Sequence, residues 1–164
     1  MELDLEQLYT KYRDNIFAIG LNYFGNPSDA DDIVQETFYK LSKSRTDFAS
    51  EEHIRNWLIR VAVNECKRIS LSFWRKNGQP LEEYLETISF ETAEEGELFS
   101  EVMMLKPKYR QIIHLFYYEG YSTAEIADIL HISQSTVTTR LARARHQLKE
   151  NLQEVWHDES QRFI

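Results

Sequence analysis

Two helix-start signals lie close together in the C-terminal third of the sequence. Ser122 precedes Glu125 at the capping-box spacing, in which each side chain bonds the other residue's backbone N–H, and Ser133 can cap a second helix. The short interval between them predicts two helices joined by a turn at His131, in a left-handed position that histidine tolerates better than most non-glycine residues. The small Ala127 allows the helices to approach closely. The pattern predicts a helix-turn-helix, and the alternative is an ordinary helical hairpin in a bundle.

The rest of the sequence also favours helices, since it contains 5 glycines and 3 prolines in 164 residues. We expect Gly25-Asn26-Pro27 to end a first helix, Ser28 to cap a second, and a third helix to run to about Phe73. Apolar residues recur at helical spacing in all three. The recurring residues are Leu5, Leu8, Tyr9, Tyr12, Ile16 and Ile19 in the first helix, Ile33, Val34, Phe38 and Leu41, a predicted buried stripe, in the second, and Ile54, Trp57, Leu58, Val61, Ala62 and Ile69 in the third.

The predicted fold is all-α, with two small helical domains joined by an acidic linker. The break at Asn77-Gly78-Gln79-Pro80 marks the start of the linker, and helical periodicity resumes at Leu98. The linker has few apolar anchors, so we expect it to be mobile. The predicted boundaries are 1–75 for the N-terminal domain, 76–97 for the linker, 98–155 for the helix-turn-helix domain and 156–164 for a tail.

The charge distribution matters more than the net charge of −8, which at first argues against a nucleic-acid partner. Residues 76–99 contain 1 Lys or Arg against 7 Asp or Glu, so most of the acidic excess lies there. Four basic residues of the last predicted helix have no acid among them, which predicts a local basic face; a solvated helix face without a partner is the alternative. These residues are Arg140, Arg143, Arg145 and Lys149.

The second helix of the predicted motif has side chains suited to double-stranded DNA. Hydroxyl and amide groups are short donors and acceptors for base edges, and guanidinium groups bind bases or phosphates. The predicted contacts are Ser133, Gln134, Ser135, Thr136, Thr138, Thr139, Arg140 and Arg143.

The motif and its surroundings resemble the extracytoplasmic-function sigma factors, the smallest members of the sigma-70 family. In the C-terminal half the similar segments are 105–111, Glu119-Gly120-Tyr121-Ser122, Glu125-Ile126-Ala127, Ile132-Ser133 and Thr136-Val137 through Arg145. In the N-terminal half, 29–38 is similar to the family's polymerase-binding helix and 57–64 to its promoter-melting helix. The likeness extends from Leu5 to Leu152 in the family's order and spacing.

This resemblance implies a subunit that binds core RNA polymerase and recognises two promoter elements, the minus-35 element as duplex and the minus-10 element as it melts. The loop from Arg45 to His53 is implied to receive a flipped base, and α-helical residues after it to contact the melted strand. The implied downstream contacts are Phe48, Ser50, His53, Arg60, Asn64, Lys67 and Arg68. The implied polymerase contacts are Asp29, Asp32, Gln35, Glu36 and Leu41. The family also implies an anti-sigma factor as a partner.

Other functions find less support in the sequence. Asp32 and Glu36 lie at i,i+4 spacing, but helix capping and contact with a basic partner explain these acids better than a metal does, and we expect no cofactor or metal. An enzyme is disfavoured, because we find no Gly-rich phosphate loop, metal-spaced histidines or Ser/His/Asp arrangement. A two-domain transcriptional regulator that does not bind polymerase is the main alternative. The sequence shows no signal peptide or membrane span, and the single Cys66 fits a reducing cytoplasm.

Overall fold

The computed structural model describes residues 2–70 and 89–156, and every regular element in these ranges is helical. The chain divides into two compact units, a first unit of residues 1–84 and a second unit of residues 85–164. The predicted all-α fold with two helical domains is therefore confirmed. Most of the predicted linker, the predicted helix end at Phe73 and residues 157–164 of the predicted tail lie outside the described residues.

Helix α1 of the first unit, Leu5–Phe24, begins and ends as the local sequence requires. The Asp4 side chain accepts a hydrogen bond from the backbone N–H of Gln7 at 3.1 Å. At the other end Gly25 has φ 69°, a left-handed conformation, and its N–H donates to the carbonyl of Leu21 at 2.7 Å. The predicted end of this helix is confirmed.

Helix α2, Pro27–Lys43, is capped two residues earlier than the sequence pattern predicts. The side chain of Asn26 accepts from the N–H groups of Ser28 at 2.8 Å and Asp29 at 3.1 Å, and Pro27 is the first helical residue. The prediction that Ser28 is the cap is wrong, because Ser28 already lies within the helix. Asparagine and serine are both good caps, and proline after Asn26 favours the earlier start.

Helix α3, Glu51–Ser70, packs with α1 and α2 around the core of the first unit. Helices α1 and α2 approach closely at Gly20 of α1, where an added Cβ would lie 2.8 Å from the Cα of Ala30 on α2. Side chains from all three helices are almost fully buried in this core. They include Ile16, Ile33, Leu41, Leu58 and Ile59.

The second unit begins with α4, Ala93–Met104, capped by Thr92 and starting before the predicted position at Leu98. Helix α5, Pro107–Ile113, continues into a π-helical turn, His114–Tyr118. Arg110 of α5 is buried and donates to the carbonyl of Met103 at 2.7 Å, which satisfies one of the last carbonyl groups of α4. Arg110 is thus a structural residue.

The helix-turn-helix completes the second unit. Helix α6 spans Thr123–Leu130 and α7 spans Gln134–Trp156. Gly120, between the π-helical turn and α6, has φ 76°. The buried side chains of His114, in the π-helical turn, and Glu119 lie 3.1 Å apart. The core of this unit includes Leu105, Ile112, Leu115, Ile126, Val137 and Leu152.

Candidate nucleic-acid interface

The turn between α6 and α7 has the geometry that the sequence predicts. The N–H of Glu125 donates to Ser122 Oγ at 3.1 Å, and the N–H of Ser122 donates to Glu125 Oε1 at 3.3 Å, which completes the capping box. His131 has φ 57° and ψ 44°, in the left-handed region. The N–H of Thr136 donates to Ser133 Oγ at 3.1 Å, so Ser133 caps α7. The predicted helix-turn-helix is confirmed.

The first turn of α7 is internally hydrogen-bonded. The hydroxyl of Ser133 lies 3.1 Å from that of Ser135 and 2.7 Å from that of Thr136. Gln134 Nε2 donates to Thr123 Oγ1 at 2.9 Å, a bond that links the two helices of the motif. These bonds fix the polar side chains at the leading end of α7, which reduces the entropy lost when a ligand binds them.

The two arginines predicted to contact DNA are open. Arg143 is exposed and Arg140 is half-buried, and neither has a hydrogen bond, ion pair or ring contact with another residue in the part of the chain that the structure describes. Thr139, also exposed, lies between them on α7. A guanidinium without a protein partner can offer its full set of donors to bases or phosphates.

Arg145 of the same helix is held in place. Its Nε donates to the hydroxyl of Tyr117 at 2.5 Å, and its guanidinium lies 5.3 Å from the ring centre of Phe116 and 5.4 Å from that of Tyr117. Phe116 and Tyr117 belong to the π-helical turn, far from α7 in sequence. Sequence reasoning found the basic residue and missed this contact.

The helical residues predicted to contact the downstream promoter element lie on α3, and their exposure and pairing differ from those of the arginines on α7. Asn64 is exposed, Arg60 and Lys67 are half-buried, and burial lowers the pKa of Lys67 from its ordinary value. Arg68 donates to Glu65 Oε2 from Nε at 2.8 Å and from Nη2 at 2.7 Å. Part of the basic charge predicted for phosphate contacts is therefore paired within the protein.

Glu65 is the buried centre of a charge cluster that sequence reasoning missed. Its side chain is 3% exposed and is paired with Lys40 of α2 as well as with Arg68. Burial raises the pKa of Glu65, but the hydrogen bonds from Arg68 and Lys40 outweigh this effect and hold the pKa below its ordinary value. The cluster joins α2 to α3.

The loop before α3 is supported by a buried ring. Phe48 is 3% exposed, and its ring contacts those of His53 and Trp57 edge-on at 5.1 and 5.7 Å between centres. The prediction that Phe48 contacts a base is therefore wrong, because no face of the buried ring is open for stacking. Ser50 Oγ accepts from the N–H of His53 at 3.1 Å, and His53 Nδ1 accepts from the N–H of Ala49 at 3.1 Å.

The predicted polymerase-binding face of α2 is mostly accessible. Asp32 and Gln35 are exposed, and Asp29 and Glu36 are half-buried. Leu41 is the exception, since it is 1% exposed and belongs to the core, so the prediction that it contacts the polymerase is wrong. Within residues 2–70 and 89–156, no group of three or more His, Cys, Asp or Glu side chains is arranged to hold a metal ion. The same residues contain no helix long and apolar enough to cross a membrane.

Two helical units, one of them a helix-turn-helix with open arginines, are typical of DNA-binding transcription factors. Comparison with known proteins defines the class further. The family described as Sigma-70 region 2 matches residues 8–79, and the family described as Sigma-70, region 4 matches residues 96–148.

Individual relatives agree with these matches. RNA polymerase sigma factor YlaC of Bacillus subtilis (strain 168) is 32% identical over 164 residues, covering 90% of this chain and 91% of YlaC. ECF RNA polymerase sigma factor SigW of the same bacterium is 27% identical over 165 residues, covering 88% of this chain and 86% of SigW. The solved complex of the sigma factor RpoE with the anti-sigma factor NepR from Bartonella quintana has the same fold, with a TM-score of 0.63, 20% identity and coverage of 92% of this chain and 97% of the matched chain.

The chain therefore belongs to the sigma-70 family, as an extracytoplasmic-function sigma factor. It is an RNA polymerase sigma factor that acts in promoter recognition and transcription initiation, as the resemblance in sequence predicts.

Proposed function

We propose that α7 reads the minus-35 element in the major groove. The observation that carries this proposal is the pair of open guanidinium groups, Arg140 and Arg143, on a helix whose leading end is already fixed. In a helix-turn-helix the N-terminal part of the second helix contacts base edges. The residues proposed to make these contacts are Ser133, Gln134, Ser135, Thr136, Thr138, Thr139, Arg140 and Arg143.

We further propose that α3 and the loop before it receive the minus-10 element as it melts. Asn64 is exposed, and Arg60, Lys67 and Arg68 lie at helical spacing around it. Ser50 and His53 line the start of the helix. Phe48 has a supporting role in this proposal, because its buried ring packs against the rings of His53 and Trp57 and stabilises the loop.

The acidic face of α2 is the proposed contact with core polymerase. Asp29, Asp32, Gln35 and Glu36 offer carboxylates and an amide to a basic partner, and the family uses this helix to bind the clamp helices of the large polymerase subunit. The protein then has no catalytic centre of its own and acts in the cytoplasm, where polymerase and DNA are found. We retain the proposed boundaries of 1–75 for the first domain, 76–97 for the linker and 98–155 for the helix-turn-helix domain, except that α4 begins at Ala93, within the proposed linker.

An anti-sigma factor is a further proposed partner. The RpoE chain that shares this fold is held by the anti-sigma factor NepR, and a protein with two exposed binding surfaces needs a means of covering them when it is inactive.

The test is core-dependent transcription. The purified full chain is mixed with core RNA polymerase and a library of promoter fragments, and the transcribed templates are sequenced. We expect transcripts from a small set of templates that share two elements, and none without the chain. Binding of the chain to DNA without core-dependent transcription would instead support a regulator that does not bind polymerase.

A further inference from the structure

Arg145 has a different environment from the two open arginines of α7. Arg143 points away from the core and has no described partner, whereas Arg145 is stacked on Phe116 and Tyr117 and bonded to the Tyr117 hydroxyl. Despite these contacts the Arg145 side chain remains exposed. The guanidinium is thus both fixed and accessible.

The donors of Arg145 are only partly used. Its Nε is bonded to Tyr117, and its two terminal nitrogens have no hydrogen-bond acceptor among the described residues. Among the described residues no carboxylate is bonded to it, and Glu150, the acid nearest to it on α7, is paired with His146 at 3.1 Å. Lys149 lies one turn further on the same side of α7 and has no described partner. Two adjacent cations without an acid favour an anionic ligand.

The position of Arg145 on α7 favours phosphate over a base. It follows the buried Leu141 by one turn, so it lies at the edge of the buried stripe and not on the face opposite the core. A helix with its side chains is roughly 10–12 Å across and the major groove is about 12 Å wide, so residues at the edge of an inserted helix face the groove walls. Those walls are the sugar-phosphate backbone.

We propose that Arg145 and Tyr117 form a binding site for a backbone phosphate of the upstream promoter element, in which Tyr117 is the positioning residue. This inference rests on the proposed function of α7. The terminal nitrogens of Arg145 donate to the phosphate oxygens, while the ring of Tyr117 and its hydroxyl hold the guanidinium in the required plane. The contact adds affinity and register, and it is independent of base sequence.

The experiment measures binding of the full chain with core polymerase to a promoter duplex selected from the transcription library, at several salt concentrations. Arg145→Ala is expected to reduce the slope of log affinity against log salt by about 0.9, the value for one lost phosphate contact. Arg145→Lys retains the charge and the slope but binds more weakly, because an ammonium lacks the planar stacking and the Nε bond. Melting curves of each variant show that it is folded.

Tyr117→Phe tests the positioning role, because it retains the ring and removes the hydroxyl. We expect a loss of affinity of about 2- to 10-fold, the range for one hydrogen bond, with an unchanged salt slope because the charge of Arg145 remains. In the Arg145→Ala background the same substitution should have no further effect. Tyr118→Phe is the matched control, since Tyr118 is exposed, stacks on His114 and does not contact Arg145.

Wild-type slope and affinity in Arg145→Ala would overturn this inference and leave the reading of DNA by α7 intact. An effect of Tyr117→Phe that persists without Arg145, or a loss of stability in both variants with an unchanged slope, would show that the pair only fastens α7 to the π-helical turn. Failure of the wild-type chain to bind the promoter with core polymerase would overturn the proposed function itself.

Discussion

The two helices proposed to contact DNA, α3 and α7, use their basic side chains differently. On α7, Arg140 and Arg143 have no described protein partner and the leading end of the helix is fixed by its own hydrogen bonds. On α3, Arg68 is paired with the buried Glu65, and Lys67 is half-buried with a lowered pKa.

This difference suits the two forms of DNA that the helices are proposed to bind. A duplex has a fixed shape, so a helix with open and preorganised side chains can read it directly. A strand that is melting changes shape during recognition, and the paired charges of α3 first stabilise the packing of α3 against α2. Arg68 of α3 is therefore expected to affect stability as well as binding, and the open arginines of α7 to affect binding alone.

The largest expected effect comes from removing the cations around Glu65. Lys40→Met with Arg68→Met should lower the free energy of unfolding by about 3–5 kcal/mol, because a buried carboxylate would be left without a partner. Arg140→Met with Arg143→Met removes the same charge from α7 and should change it by no more than about 0.5 kcal/mol. Urea unfolding followed by circular dichroism measures both, and equal losses would remove the distinction between the helices.

A smaller effect is expected from removing the Ser122 cap at the start of the helix-turn-helix. Ser122→Ala should cost about 1 kcal/mol of stability, since it removes the bond to the N–H of Glu125. Ser28→Ala is the matched control, because Ser28 lies inside α2 and Asn26 provides that cap. Comparable losses in the two variants would restore Ser28 as a cap.

Replacing the left-handed residue of the turn by glycine is expected to stabilise the protein. His131→Gly should raise stability by about 0.5–1 kcal/mol, because glycine adopts φ 57° without the steric cost that histidine has there. Ala142→Gly, in the exposed interior of α7, should lower stability by about 1 kcal/mol and shows that the gain belongs to the turn. Thermal melting of both variants gives the sign, and destabilisation by His131→Gly would contradict a left-handed residue at this position.

The smallest expected effect is a pH dependence confined to the first unit. The pKa of Glu65 in the folded protein lies below the ordinary value of 4.5, so its unfolded form binds a proton more readily. The stability that Glu65 provides is therefore present above about pH 4.5 and is lost as the pH falls through the folded pKa. The difference in stability between wild type and Glu65→Gln should shrink on acidification, and a constant difference down to the acid transition would contradict the paired state.

The sequence predicted the features that depend on neighbouring residues. The capping box at Ser122, the left-handed turn at His131 and the end of α1 at Gly25 all follow from patterns within one helical turn, and the structure confirms each. The prediction that Ser28 caps α2 failed because Asn26, another good cap, lies two residues earlier and the position of Pro27 favours it.

Contacts between distant residues were beyond sequence reasoning. Lys40 and Glu65 are 25 residues apart, and Tyr117 and Arg145 are 28 apart, so no local pattern links them. The predicted contacts of Leu41 and Phe48 failed for another reason. Both contacts came from the family resemblance, although helical periodicity already placed Leu41 in a buried stripe, and both side chains lie in the core.

The most direct test is the binding of Arg143→Ala, with core polymerase, to a promoter whose minus-35 element is intact or scrambled. Lys149→Ala, which removes a cation next to Arg145 on the same helix, is the control, and any loss of affinity that it causes should be equal on the two elements. We predict a loss of roughly 5- to 150-fold for Arg143→Ala on the intact element, the range for one bidentate base contact, and little change on the scrambled one. Equal losses on both elements would show that Arg143 contacts phosphate alone and would contradict sequence reading by this residue.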